Sequence, residues 1–404
     1  MANAPLAGIR VLELCTGAAG PTVARSLAEY GAEVLKVESR KHPDNHRGGF
    51  NQARWNKSPT FVKLNRGKKS VTLNLQTDRG RQLALDLARQ CDVVVDNFSL
   101  GVMERWGLGY EAVRAIKPDI VYISLKGLGN TGPHAKHVTW GPNLLCLFGM
   151  TYLWNDEEAG APTSEARVQH PDFMAGVAGA GAVLAALLHR ARTGQGQFID
   201  SAQIEVGANL LGPAYLDYNV NGRVTAPAGN RRAGSAPHGA YPCVDGPERW
   251  CAISVRTQDE WLRLCAAIGD PDWCREPRFE SPLQRLRNRE ALDALLGEWT
   301  RRYTGLEIME RLQAAGVAAA PIQDVEDQLF HDPHFAARGL FVTVTEPEAG
   351  DIVAEHPPVW SSEGEACVRT PAPVLGQHTD VVLRTQLNLS DREIDELRDA
   401  GVLE

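Results

Sequence analysis

The sequence predicts an α/β protein with an open, largely parallel sheet, followed by a smaller α+β region. Three observations predict it. Short β-branched and aliphatic runs alternate with helical segments through the first half of the chain, the pattern of parallel strands joined by crossover helices. A stretch rich in Gly, Pro, Ala and Arg, 221–239, then interrupts that rhythm. Beyond it a hairpin and a series of helices follow, with one further strand.

Taken in order, Ile9–Leu14 is a buried strand, Thr16–Pro21 turns the chain, and Pro21 suits the first position of a helix running to Tyr30. Ala32–Glu38 is the second strand. This β-α-β unit is Rossmann-like, and Glu38 falls where a ribose-binding acid would sit, although the turn lacks a full G-x-G-x-x-G. Residues 40–60 read as a long surface loop. Phe61–Leu75 reads as two extended runs around a basic turn, where Arg66, Lys68 and Lys69 are either solvated or in contact with phosphate. Asp78–Gln90 is an amphipathic helix, Val93–Phe98 a third strand, and Val102–Ile116 a helix interrupted by Gly107-Leu108-Gly109. Asp119–Lys126 is a fourth strand. Ligands of such sheets bind beyond the carboxyl ends of the strands, which draws Thr16–Pro21, Asn97-Phe98 and Lys126-Gly127 to one crevice. Gly127–Gly132 matches G-x-G-x-x-G, but Pro133-His134-Ala135-Lys136-His137 follows instead of a helix, so a loop is expected. Gln197–Asp200 is a short strand and Ile204–Tyr218 one helix. In the second half, 240–246 and 249–255 form a hairpin, helices follow near 257–268, 288–302 and 305–315, and 317–322 is strand-like. The tail carries a strand at 340–346 and helices near 377–387 and 390–401.

Composition narrows the function classes. Over 404 residues, 43% hydrophobic and 23% charged content is that of an ordinary globular enzyme, with length for two domains. A net charge of −8 argues against a general nucleic-acid binder. The first residues show no basic region before an apolar core, and no uncharged apolar run reaches membrane-spanning length, so neither a secretory signal nor a membrane partner is expected. The eight cysteines are scattered without a C-x-x-C pair. That pattern fits core thiols in a reducing cytoplasm and offers no metal site.

The stretch His170–Arg190 is the unusual one. Asp172 has the chemistry of an N-cap before a long apolar helix, and His189 and Arg190 suit its negative end. Gly176, Gly179 and Gly181 each cost such a helix about 0.8–1 kcal/mol relative to alanine, so the first turns are open to close approach. Asp172 is either a helix cap or a nucleophilic carboxylate whose ionised form is favoured by the helix start.

Together these motifs carry a resemblance. Leu12-Glu13-Leu14 with Ala19-Gly20-Pro21, Gly31–Glu38, Asn65-x-x-Lys68-Lys69-Ser70, Asp96-Asn97-Phe98 with Arg105, Asp172 before its Gly/Ala-rich helix, and Thr193–Gln197 follow one another as in the class III CoA-transferases. That family includes formyl-CoA transferase and, as a relative, α-methylacyl-CoA racemase. The resemblance spans essentially the whole chain. It implies a large Rossmann-like domain built from both chain ends (1–224, with 331–404 returning to it) and a small α+β domain (225–330). It also implies an interlocked homodimer, or a heteromer with a related subunit. Coenzyme A and acyl-CoA enter as substrates, and no permanently bound cofactor is implied. The family's nucleophile falls on Asp172, and its CoA contacts fall on Arg40, Leu73, Asn97, Phe98, Arg105, Lys126 and Lys136. Two departures bear on the substrate. The glycine run that closes over the intermediate in formyl-CoA transferase is absent from Ala233–Cys243. That stretch instead resembles the succinyl-CoA:benzylsuccinate CoA-transferase subgroup, which implies succinyl-CoA as donor and an aromatic dicarboxylate as acceptor. Aligning the racemase's catalytic Asn with Asn143 places Trp140 where its proton-transferring His belongs, which counts against a 2-methylacyl-CoA racemase.

Overall fold

A computed structural model describes residues 4–48, 55–155, 170–363, 366–368 and 370–403. The chain divides into two compact units. The first is made of 1–150, 165–223 and 337–404, the second of 151–164 and 224–336.

The first unit is centred on a six-stranded sheet, all of whose neighbouring strands pair in parallel: β1 Arg10–Leu14, β2 Glu33–Glu38, β3 Lys68–Thr72, β4 Val93–Asp96, β5 Val121–Lys126 and β6 Gln197–Ala202, in the order β3-β2-β1-β4-β5-β6. The switch from leftward to rightward winding lies between β1 and β4, and loops after those two strands diverge to leave a crevice. Burial on both faces explains why the inner strands Val93–Asp96 and Val121–Lys126 are almost unbroken apolar runs. Leu12, Leu35, Val94 and Tyr122 enter one core, and Val11, Val34, Val93, Val95, Val121 and Ile123 enter another on the opposite face. Each fully buried aliphatic side chain contributes about 1.5–3 kcal/mol. The first core is closed by the helix Asp78–Arg89, by Val382, Leu383 and Ile394 of the helices Thr379–Leu387 and Asp391–Asp399, and by Val402 and Leu403 after them. Thr379 Oγ1 accepts from Thr72 N at 2.9 Å and Val402 O from Asn74 N at 2.8 Å, so the chain end is bonded beside β3. The second core is closed by the helices Ala19–Glu29 and His170–Thr193. Within the same unit β10 Phe341–Glu346 and β11 Gly350–Glu355 form a hairpin; only the first had a sequence signal.

In the second unit β7 His238–Pro242, β8 Trp250–Ser254 and β9 Ala318–Pro321 form an antiparallel sheet. It shares a core with helices Gln258–Ala267, Arg289–Thr300 and Gly305–Ala314, as expected from the sequence.

Several expectations are corrected. The first helix begins at Ala19, so Pro21 sits inside its first turn, where an absent N–H costs no bond. Residues 40–60 are not simply surface: Asp44 and Arg47 are buried, and 49–54 lie outside the described residues. Phe61 belongs to a helix, Pro59–Asn65, not to an extended run. The expected helix 204–218 is two, Gln203–Leu210 and Gly212–Asn221, broken ahead of Pro213. The helix His170–Thr193 is long and apolar enough to cross a membrane by composition, contrary to the reading of the sequence; here Ala175, Ala180, Val183 and Leu187 lie in the second core.

Candidate active site

The loops that follow β1, β4, β5 and β6 converge, as the parallel winding requires. They supply Thr16-Gly17-Ala18, Asn97–Leu100, Gly127-Leu128 and Gln203 to a cavity of about 270 Å³, to which Asn45, His46, the segment Ala135–Trp140 and Asp172 are added. The cavity floor is held by hydrogen bonds between loops. Asn97 Nδ2 donates to Thr16 O at 2.7 Å while its Oδ1 accepts from Thr16 N at 3.0 Å. Asp44 Oδ1 accepts from Gly17 N at 3.2 Å and from His46 N at 2.9 Å.

Beneath this loop lies a buried ionic network that sequence reading did not find. Lys36 Nζ donates to Glu13 Oε1 at 3.0 Å, Asp44 Oδ2 at 2.8 Å and Cys15 O at 3.1 Å. Lys68 Nζ reaches Glu13 Oε2 at 2.8 Å and donates to Pro21 O and Asn65 Oδ1. Burial works against the charge on Lys36, but Asp44 and Glu13 more than offset it and hold its pKa above the usual lysine range. Burial, opposed by Glu13, brings Lys68 down to about 8. Arg66 and Lys68 of the basic turn are therefore neither solvated nor set to meet a phosphate, while Lys69 keeps 43% of its side chain exposed. Arg66 and Lys68 are buried, Arg66 pairs with Glu355 at 3.2 Å, and Lys69 pairs with Glu33. Nor is Glu38 available to a ribose: Arg47 Nε and Nη2 hold its two oxygens at 2.7 Å each, with the guanidinium 3.6 Å from the Phe61 ring.

Asp172 is the third residue of the helix His170–Thr193, inside its first turn and not at its cap as expected, because the helix starts two residues earlier. Burial pushes its carboxyl up to about 6, and a hydrogen bond from its own backbone N–H opposes this only in part. The expected preference for the ionised form is thus outweighed by desolvation. At neutral pH the carboxylate still predominates, and it is less solvated than a surface aspartate, which favours nucleophilic use. The glycines after it serve helix packing. A Cβ on Gly176 would stand 2.5 Å from Thr22 Cβ and 2.9 Å from Ala19 O, and one on Gly179 would stand 3.0 Å from Val23 Cγ2, whereas Gly181 faces open space.

The other anticipated residues divide by place. Asn97, Phe98, Lys126 and Lys136 line the Asp172 cavity. Leu73 and Phe98 line a second, more apolar cavity of about 340 Å³ with His42, Thr16, Asn45 and Trp106. Thr16, Asn45 and Phe98 belong to both. Lys126 Nζ is 2.6 Å from Asp96 Oδ2 in a buried pair, so its charge is matched inside the protein. Arg105 is exposed on the short helix Val102–Arg105. Arg40 lines a separate cavity with Thr72, Gly376, Asp380 and Arg398. Trp140 also lines the Asp172 cavity, and Asn143 Oδ1 accepts from its backbone N at 2.6 Å as a helix cap. Gln203 was missed, although its position directly after a parallel strand is the signal that located Asn97.

Comparison with known proteins gives this arrangement a family. Residues 6–379 match the model for CoA-transferase family III. The chain is 33% identical over 408 residues to the succinyl-CoA–L-malate CoA-transferase beta subunit of Chloroflexus aurantiacus, covering 99% of this chain and 98% of the relative. It is 32% identical to a probable CoA-transferase of Mycobacterium tuberculosis, of whose length it spans only 50%. A crystal structure of a CAIB/BAIF family protein from Brucella suis superposes with a TM-score of 0.86 at 30% identity, over 95% of this chain and 100% of that one. The chain belongs to CoA-transferase family III.

Proposed function

We propose that this chain moves CoA from an acyl-CoA donor, succinyl-CoA foremost, to a carboxylic acid through a thioester on Asp172. The observation that carries the reading is a partly desolvated carboxylate, its pKa pushed up to about 6, on the first turn of a helix and facing the cavity at the carboxyl ends of a parallel sheet. The Asp172 carboxylate attacks the donor thioester, forming a mixed anhydride and releasing CoA thiolate. The thiolate attacks the aspartyl carbonyl, which forms the aspartyl–CoA thioester and frees the donor acid. The acceptor carboxylate attacks that carbonyl and expels the thiolate again, which then takes the acceptor's acyl group and regenerates Asp172. Anhydride and thioester are both activated acyl species, so no step ends in a deep trap.

In this reading the thiol arm of CoA lies along Asn97 and Phe98, with the Leu73 cavity taking the apolar end. The long exposed side chains Arg40, Arg105 and Lys136 supply positive charge to the phosphates. Lys126 is proposed to act through its pair with Asp96 at the floor. The acceptor is proposed to be a dicarboxylic acid, and a panel including malate, glutarate and benzylsuccinate would rank small against aromatic acids. Val177, Leu184 and Leu188 on the Asp172 helix, and Tyr215, Leu216 and Val220 on Gly212–Asn221, are exposed apolar residues suited to the proposed interlocked dimer of cytoplasmic chains. Turnover by the chain purified alone supports the homomer; recovery only with a related subunit supports the heteromer.

Incubation with succinyl-CoA and no acceptor is expected to raise the intact mass by one CoA moiety. Hydroxylamine should then convert Asp172 to a hydroxamate that peptide mapping places at His170–Asp172. Turnover with no adduct, or a mark on Cys15 or Cys146, would reject Asp172 as the nucleophile. One observation favours a second reading, racemisation of 2-methylacyl-CoA: His46 and His137 line the same cavity as Asp172 and could exchange an α-proton. Asp172-dependent deuterium uptake from D₂O into a 2-methylacyl-CoA would select it; no uptake is expected, because Trp140 occupies the racemase base's aligned position.

A further inference from the structure

The Asp172 cavity contains a polar group that the transfer steps leave unused. Gln203 is the first residue of the helix Gln203–Leu210, it is 7% exposed, and it lines the same cavity as Asp172. Its Oε1 is buried with no hydrogen-bond partner among the described residues. The adjoining backbone is already committed, since Ile204 N donates to Gly127 O at 3.0 Å. Buried polar atoms are nearly always paired, so an orphan on a residue that lines a ligand cavity marks a place for a ligand atom once the side chain turns toward it.

The chemistry of the orphan narrows that atom. A carboxamide oxygen accepts hydrogen bonds, and its NH₂ donates; a half-turn of the side chain exchanges them. A thioester and an ionised carboxylate offer acceptors only, so they can pair with the NH₂ end of the amide but never with its oxygen. A neutral hydroxyl both donates and accepts and satisfies whichever end of the amide faces it. We infer that Gln203 is a specificity-determining residue, which selects a carboxylic acid bearing a hydroxyl on its carbon chain over the matching deoxy acid. The inference rests on the transferase reading and names its substrate class.

The test uses the full chain with succinyl-CoA as donor and matched acceptors: malate against isotopically labelled succinate, citramalate against 2-methylsuccinate, and 2-hydroxyglutarate against glutarate. At least one hydroxy acid should exceed its deoxy partner about tenfold in kcat/KM, the factor that one net neutral hydrogen bond supplies. In Gln203→Leu and Gln203→Met that ratio should fall to about one, through a larger loss on the hydroxy acid than on the deoxy acid. Both variants should melt at or above the parent temperature without ligand, because they remove an unpaired buried atom. Ratios near one for every pair in the parent protein would overturn the inference. So would equal losses on both acids with a raised KM for succinyl-CoA, which would assign Gln203 to an amide of the CoA arm. The Asp172–CoA adduct separates the two levels. If it forms while the ratios stay flat, only the role of Gln203 falls. If it does not form in the parent protein, the transferase reading and this inference fall together.

Discussion

Asp172 shows two physical effects competing at one residue. The helix start and its own N–H favour the anion, and burial opposes it and prevails, bringing the carboxyl up to about 6. Because the folded value lies above the unfolded one, the stabilising contribution is full below pH 4 and is lost as pH rises through 6. Asp172→Asn removes that penalty and keeps the shape. The variant should match the parent near pH 4 and exceed it at pH 8 by up to about 3 kcal/mol, taking 1.36 kcal/mol per unit, as measured by urea denaturation at both pH values. Its transferase activity should fall by orders of magnitude. In the parent protein kcat/KM should rise with pH through about 6, as the nucleophile loses its proton. Near-normal turnover by a folded Asp172→Asn protein would falsify the nucleophile assignment.

At the scale of elements, the helix His170–Thr193 is positioned by glycine. Gly176 lets the helix Ala19–Glu29 come so close that an added methyl would overlap Thr22 and the Ala19 carbonyl. Gly176→Ala should therefore cost about 1–3 kcal/mol despite its better helix propensity. Gly181→Ala meets no atom within 4 Å and should instead stabilise the helix by about 0.8–1 kcal/mol. Thermal melts of the two variants check the pair, and equal shifts would show that packing does not decide this helix's place. The same helix carries Asp172, so Gly176→Ala should also lower turnover by displacing the proposed nucleophile, whereas Gly181→Ala bears only on stability.

At the scale of the whole molecule, the first unit draws on segments from the start and the end of the chain. Leu383, Ile394 and Leu403 complete the core under β3, and Thr379 bonds to Thr72. Deleting 377–404 would expose that core and leave the Thr72 amide without its partner. The truncated chain should lose cooperative unfolding, seen by circular dichroism during a thermal ramp, although the deleted segment lies outside the Asp172 cavity. A sharp transition near the parent temperature would show that the N-terminal segments fold without it.

The sequence alone determined the alternation of strand and helix and hence the parallel sheet. Its inner strands are buried on both faces, and such strands read as nearly unbroken apolar runs. It also determined where the crevice lies and singled out Asp172 and Asn97, because ligand loops follow parallel strands and a carboxylate before glycines in a helix is conspicuous. Only the tertiary structure decided the partners of charged residues. Lys36, Lys68, Arg47 and Glu38 look in sequence like an ordinary mixture of surface charges and a ribose acid, yet they are buried and paired across distances of 8 to 55 positions. Local pattern reports which side chains are apolar and at what period. It does not report which charge meets which, because a buried ion pair depends on where separate strands and loops end in space. For the same reason Gln203 was unmarked: an amide becomes informative only when the fold buries its oxygen on a residue beside a cavity and no described residue bonds it.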